Sequence, residues 1–265
     1  MRKILSLFAL FFCAFTAITA QTNINGEDVS WGDDDPSQPT HEYVDLGLSV
    51  KWATCNVGAT KPEEYGDYFA WGATEPLYES GYAQENPQSH WKSGKTGGYN
   101  CVNAPYQTAN TTDWSSTKWT KYLGSTSSSY KDPSATNANA LKTVLDMEDD
   151  AAHVNWGGSW RMPTSAEQDE LRTNCTWTWT TINGIKGYKV QSNKSGYTDR
   201  WIFLPAAGFR HGTYLYSVGF IGDYWSCSLS TDGPYYACSL YFNSGDVGWY
   251  SIYRYCGQSV RPVCP

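Results

Sequence analysis

Residues 156–171, Trp-Gly-Gly-Ser-Trp-Arg-Met-Pro-Thr-Ser-Ala-Glu-Gln-Asp-Glu-Leu, dictate where one helix must begin. Pro163 precedes Thr164, and Glu167 follows three residues later. That is the spacing of a capping box. The Thr164 hydroxyl accepts from the Glu167 backbone N–H, and the Glu167 carboxylate accepts from the Thr164 N–H. A helix is therefore expected from Thr164 to about residue 173, with Asp169 and Glu170 on its outer face. Trp156 and Trp160 flank Gly157-Gly158, where backbone and ring can approach closely. The planar fork of Arg161 suits either a buried carboxylate or several backbone carbonyls. So dense a group could form an active site. The cap already occupies Glu167, however, so Trp156, Trp160, Arg161, Thr164 and Glu167 read as structural.

The ends of the chain set the context. Arg2-Lys3 precede an almost wholly apolar run from Ile4 to Ile18, and Thr19-Ala20 offers a small residue before Gln21. Residues 1–20 read as a secretory signal peptide, which carries Cys13 away with it. Residues 21–40 hold an acidic run, two prolines and little apolar content, and read as a tether. The folded part is expected over 41–265. Without Arg2 and Lys3 the balance is 17 basic against 26 acidic residues, with no Lys/Arg-rich run. That speaks against nucleic acid and anionic membranes as partners. No apolar run beyond the leader reaches membrane length.

Thirteen Trp and twenty Tyr stand beside 24 Gly, the composition of a β-dominated extracellular domain whose core and surface both use aromatic rings. Alternation in 43–59 predicts two short strands split by a glycine turn, and 67–72 reads as another buried strand. Residues 75–134 form a long polar stretch with at most one short helix, around 116–123. Apolar spacing in 138–152 predicts the clearest helix of the chain. Asp146, Glu148, Asp149 and Asp150 would then lie mostly on its wet side, a solvated face rather than a metal site. A hairpin is expected about Asn183-Gly184, a central strand over 200–210, a second hairpin about Asp232-Gly233, and a closing strand at the C-terminus.

Five segments occur in this order: 42–72, 156–171, Ile202–Arg210 with its Leu-Pro-Ala-Ala-Gly-Phe-Arg, Asp223–Leu229, and Gly-Gln-Ser-Val-Arg-Pro-Val at 257–263. In order and wording they resemble the Fibrobacter succinogenes major paralogous domain family. The resemblance implies an α+β, C-type lectin-like fold of short antiparallel strands, two or three helices and long loops. It implies an exported, surface-associated domain of anaerobic Gram-negative bacteria, and no reaction. That fold also houses formylglycine-generating enzymes and calcium-dependent lectins. This chain carries Glu75-Pro76-Leu77 and no Trp-Asn-Asp, unlike the sugar-binding lectins. Cys256 and Cys264 lack the surrounding motif of the copper-binding pair in the enzymes.

Phosphate loops, His-Glu-x-x-His, Cys-x-x-Cys and Gly-x-Ser-x-Gly are missing from the sequence. His41, His90, His153 and His211 are scattered, so no catalytic set, metal or cofactor is expected. The reading is an exported binding or adhesion module that takes glycan or protein ligands at the cell surface through aromatic loops. The alternative is an exported enzyme acting on polysaccharide or protein through carboxylates without a motif. Asp246, Trp249, Tyr250 and Tyr253, in what reads as a Gly/Ser/Asn-rich loop, are the candidate ligand residues. Seven cysteines remain after Cys13. A tight turn at Asp232-Gly233 would set Cys227 opposite Cys238, the first choice for a disulfide. Pro234 has no N–H, and the pair would be a hydrogen-bonded one, so both facts count against that register. Cys55 and Cys175 are the second choice, as a bridge or as packed core thiols.

Overall fold

The computed structural model describes residues 41–84, 90–108 and 113–265. The expected leader and tether lie outside the described residues. In chain order the elements are β1 (Tyr43–Val44), β2 (Lys51–Ala53), α1 (Asn137–Leu141), α2 (Ala151–Trp156), α3 (Ser165–Asn174), β3 (Cys175–Ile182), β4 (Ile185–Ser192), β5 (Trp201–Pro205), β6 (Phe209–His211), β7 (Tyr214–Tyr216), β8 (Ile221–Leu229), β9 (Tyr236–Asn243), β10 (Asp246–Tyr253) and β11 (Val263–Cys264). The strands form small sheets ordered β1-β2-β11, β3-β4-β5, β6-β7 and β10-β9-β8. Every pairing within them is antiparallel. Few helices and many short antiparallel strands agree with the expected α+β class. The first and last strands meet on β2, where Trp52 faces both Val44 and Val263.

Local chemistry accounts for the elements that formed as expected. Thr164 caps α3 through the Glu167 N–H at 3.2 Å, and Glu167 accepts from the Thr164 N–H at 2.7 Å. The β3–β4 hairpin turns at Asn183 and Gly184, with φ of 49° and 85°. Both values lie in the left-handed region that a two-residue turn of this hand requires.

Other expectations fail, the first for a long-range reason. The helix over 138–152 breaks into α1 and α2. Between them the chain lies extended against β8: the Leu145 N–H donates to the Cys227 carbonyl (2.9 Å) and the Leu229 N–H to the Thr143 carbonyl (2.7 Å). Leu141 and Val144, assigned to the inner face, are exposed, while Asp149 and Asp150 are buried rather than wet. Asp150 caps α2 and also accepts from the Met162 N–H at 2.8 Å, so it clamps the start of the 162–167 segment. Residues 67–72 are buried but form only one bridge, Phe69 to Gln258. Around 116–123 only a single 3₁₀ turn forms, at Trp114–Ser116, and β5 lies at a sheet edge rather than in the centre.

Three apolar clusters make the core. The largest runs from Ala53 through Trp71, Trp119 and Trp225 to Cys264. A second lies between β3–β5, α3 and the β8–β9 pair, and a third gathers Tyr68, Tyr78, Trp91 and Tyr99. Asp223, on β8, is 3% exposed. The Ser239 hydroxyl beside it contacts the Asp223 carboxyl, the Gln258 Oε1 (2.7 Å) and the Tyr224 carbonyl (3.1 Å). One hydroxyl proton serves only one of those three acceptors. A neutral Asp223 resolves the conflict by donating its own proton to Ser239. Burial pushes the Asp223 carboxyl up to about 7, against the opposing pull of Ser239.

Two predictions follow from these contacts. Thr164→Ala is expected to cost about 1 kcal/mol through the lost cap. Arg161→Ala should cost more, about 1–3 kcal/mol, because it leaves the half-buried Glu167 short of its partner. Urea denaturation of both variants measures this. Between its ordinary value of 3.8 and about 7, the folded chain keeps an Asp223 proton that the unfolded chain has lost. Stability therefore falls as pH rises through that window, by up to about 1.4 kcal/mol per unit. Asp223→Asn should match the parent near pH 4 and be the more stable protein at pH 8, as followed by denaturation across pH.

Candidate functional site

The mouth of the β8–β9 hairpin and the end of β10 bring together rings from three distant parts of the chain. Trp114 comes from the long 75–134 stretch, in a turn capped by the Asp113 carboxylate on the Ser115 N–H (3.0 Å). Its ring lies 4.8 Å from that of Tyr235 and 5.8 Å from that of Tyr253. Tyr130 meets Tyr235 at 5.1 Å, Tyr236 meets Tyr253 at 4.7 Å, and Tyr253 stacks on Tyr255 at 5.1 Å and 16°. Trp114, Tyr130, Tyr235, Tyr236 and Tyr253 are all half-buried. Each keeps an edge in water while its neighbours fix its plane. The hydrogen bond between the Tyr236 and Tyr253 hydroxyls, with some help from burial, pushes the Tyr236 phenol up to about 12. Beside these rings Asp232 is exposed and accepts from the Ser251 hydroxyl at 2.5 Å.

Arg254 holds this surface from behind. It is fully buried, and its guanidinium lies 4.2 Å from the Trp119 ring and 4.8 Å from the Trp71 ring. Nη1 donates to the Pro234 carbonyl (2.9 Å) and the Tyr122 carbonyl (3.1 Å), and the Arg254 N–H donates to the Tyr235 carbonyl (3.0 Å). One side chain thus connects the hairpin turn, the long stretch and the Tyr253–Tyr255 segment.

Of the four candidate ligand residues, the structure places only Tyr253 in this cluster. All four lie on β10, a regular edge strand rather than a loop. Alternation sends Trp249 and Tyr253 to one side of it and Asp246 and Tyr250 to the other. Asp246 is seven residues from Tyr253, roughly 23 Å along a strand at about 3.3 Å per residue. Trp249 is 57% exposed, and Tyr250 packs on Tyr241 with ring centroids 4.9 Å apart. The sequence reading missed Trp114, Tyr130, Tyr235 and Tyr236. The Tyr235–Tyr236 doublet following Gly233-Pro234 was the available signal, since rings at a hairpin mouth have no strand neighbour on one side.

Arg161 grips both Glu167 oxygens at 2.8 and 2.6 Å. Trp156 stacks on His41 at 3.7 Å and meets Trp160 edge-on at 5.1 Å. His153 lies within hydrogen-bond distance of the Trp160 carbonyl, and His90 stacks on Tyr82. Cys55, Cys101, Cys175, Cys227, Cys238 and Cys256 are free thiols. The proposed Cys227–Cys238 bridge does not form: the turn is longer than two residues, and a register shift separates Trp225 opposite Ser239 from Leu229 opposite Ala237. Cys175 lies in the second core cluster and Cys55, half-buried, belongs to none of the three.

Asp146, Glu148 and Asp149 bring carboxylate oxygens within 4.8 Å of one another, the geometry of a cation site. The Lys121 ammonium already sits among them, 2.6 Å from Asp146, 3.2 Å from Glu148 and 2.6 Å from Asp149. The Tyr106 and Tyr122 hydroxyls also donate to Asp149. Burial pulls the Lys121 ammonium down, but its bonds to Asp146 and Asp149 outweigh that and hold it above the usual lysine range. The protein supplies its own cation here. Two shallow depressions, of about 360 and 450 Å³, lie elsewhere. Their acids are engaged: Glu64 with the Thr60 N–H (2.8 Å), Glu63 with Asn183 (2.8 Å), and Glu75 with Lys92 (2.8 Å).

Compared with protein-family profiles, with curated proteins and with solved structures, the chain finds no match in any of the three. Among the described residues, no helix is long and apolar enough to cross a membrane.

If Lys121 fills the acidic site, the melting temperature should be the same in EDTA and in millimolar calcium. Lys121→Met should lose roughly 3 kcal/mol, because it strands the buried Asp149 carboxylate. A calcium-dependent melting temperature in the parent would contradict this assignment.

Proposed function

We propose that this protein is an exported, non-enzymatic binding module that recognises glycans at the cell surface through the aromatic face around Tyr253. The observation that carries the reading is the set of rings from Trp114, Tyr235, Tyr236 and Tyr253, half-buried, mutually packed and flanked by Asp232. A sugar ring has an apolar face of C–H bonds and an edge of hydroxyls. The first suits a fixed aromatic plane, and the second suits phenol hydroxyls and a carboxylate. A protein partner is the weaker reading, because phenol edges beside a carboxylate match a hydroxyl-rich ligand more closely than an apolar protein surface. Enzymatic chemistry finds less support still, since the acids of the cation-like cluster and of both depressions are engaged in structural contacts.

The leader and tether, read from residues 1–40, support export, and the ordered motifs support a C-type lectin-like fold within the α+β class. On this reading, the domain spans 41–265.

A glycan array with the purified protein, followed by titration of tryptophan fluorescence, tests the proposal. Trp114→Ala with Tyr253→Ala should weaken binding by roughly tenfold or more, as the loss of two stacking planes of about 0.5–1.5 kcal/mol each requires. Undiminished binding in that double variant would remove this face from the site.

A further inference from the structure

Resting on that reading, we infer that the ligand is an extended, uncharged polysaccharide chain which continues from Tyr253 onto the β6–β7 hairpin. The rings do not stop at Tyr253. From Tyr235 to Tyr253, on to the buried Tyr255, and then to the exposed His211, successive centroids stand 6.3, 5.1 and 5.6 Å apart. Tyr255 thus joins two solvent-reaching groups of rings from beneath, and a chain crossing from one to the other needs several sugar units. His211 ends β6, and the hairpin register sets Tyr214 directly across from it and Tyr216 across from Phe209. Residues opposed in this way, and two apart along a strand, share one face of the sheet. Tyr214 and Tyr216 are 51% and 41% exposed, and Phe209 stacks on Tyr216 at 5.5 Å. They are therefore presented to solvent beside His211, where the ring series ends.

The spacing between the two patches is built in. Arg210, in the middle of β6, exchanges both backbone hydrogen bonds with Gly257 (2.7 and 2.9 Å), two residues beyond Tyr255. Gly212 and Tyr99 exchange another pair at 2.8 Å each. The approach is close: a Cβ on Gly98 would lie 2.1 Å from the Gly212 carbonyl oxygen, and one on Gly257 would lie 2.6 Å from the Tyr99 ring. A platform already ordered by folding loses little freedom when a long ligand lies along it. The chain's net charge of −7, and Asp232 beside Tyr235, disfavour polyanionic glycans.

The test is affinity electrophoresis and calorimetry of the full mature chain. The probes are soluble glucomannan, arabinoxylan and mixed-linkage β-glucan, each with its two-unit and six-unit fragments. At least one polymer should bind, and its six-unit fragment should bind roughly tenfold tighter than the two-unit fragment. In the Tyr214→Ala, Tyr216→Ala variant, whose side chains are exposed and whose melting temperature serves as the folding control, that length dependence should vanish. Equal affinity for short and long fragments would overturn the inference. So would parent-like length dependence in the hairpin variant. If either occurs while the Trp114, Tyr253 double variant loses binding, the glycan reading survives and only its extension fails. If no polysaccharide binds the parent, both fall, and a protein ligand becomes the better account.

Discussion

Guanidiniums shut away from water must find other partners, and in this protein they find main-chain carbonyls and aromatic faces. Arg254 and Arg261 are 0% and 1% exposed, and neither bonds a carboxylate among the described residues. Arg261 donates to the Ala53 and Thr54 carbonyls at 3.0 and 2.8 Å and to the Phe203 carbonyl at 3.0 Å, so it ties the end of β2 to β5. Arg254 does the same for the hairpin turn, the long stretch and the Tyr253–Tyr255 segment. Arg210, also buried, lies over the Tyr68 and Tyr78 rings and donates to the Ala83 carbonyl at 2.6 Å. A buried cation is costly unless carbonyls and rings replace the water it has lost. Each of these arginines therefore selects one arrangement of the irregular segments around it.

This explains how a chain with so little regular structure presents a defined surface. The strands are short and the sheets small, and the described parts of the 75–134 stretch hold two single-turn 3₁₀ helices, Cys101–Asn103 and Trp114–Ser116, among turns and isolated bridges. Its order comes from side chains reaching backbone, and from Lys121 pinned among Asp146, Glu148 and Asp149. Behind the candidate site, Trp71 and Trp119 sandwich Arg254, while in front the tyrosines keep their edges wet. Stability and presentation thus come from the same contacts. A change at Arg254 would act on binding by displacing rings rather than by touching ligand.

Sequence gave access to whatever was decided within a few residues. The Thr164–Glu167 cap, the Asn183-Gly184 turn and the β1 and β2 pair all depend on near neighbours. The failures share the opposite cause. Residues 138–152 carry a helical spacing, yet backbone bonds to β8 and the demand of the Met162 N–H on Asp150 broke the helix and buried the acids. Segment 246–253 looked like a loop because Gly and Ser dilute its apolar pattern, whereas pairing with β9 over eight residues made it a strand. Pairing also separated Asp246 from Tyr253. The ring cluster itself joins positions 114, 130, 235, 236 and 253. No spacing rule encodes that union, and it depends on Arg254, which sits in the sequence as one more residue between two tyrosines.

Hydrogen–deuterium exchange on Arg254→Lys tests that dependence most directly. A lysine keeps the charge but lacks the planar fork that serves several carbonyls at once. The account predicts faster exchange in the 119–123 and 233–236 segments and around 253–257, with the β3–β5 sheet exchanging as in the parent. Parent-like exchange in those three segments would contradict it, because the surface would then be held in place without the buried guanidinium.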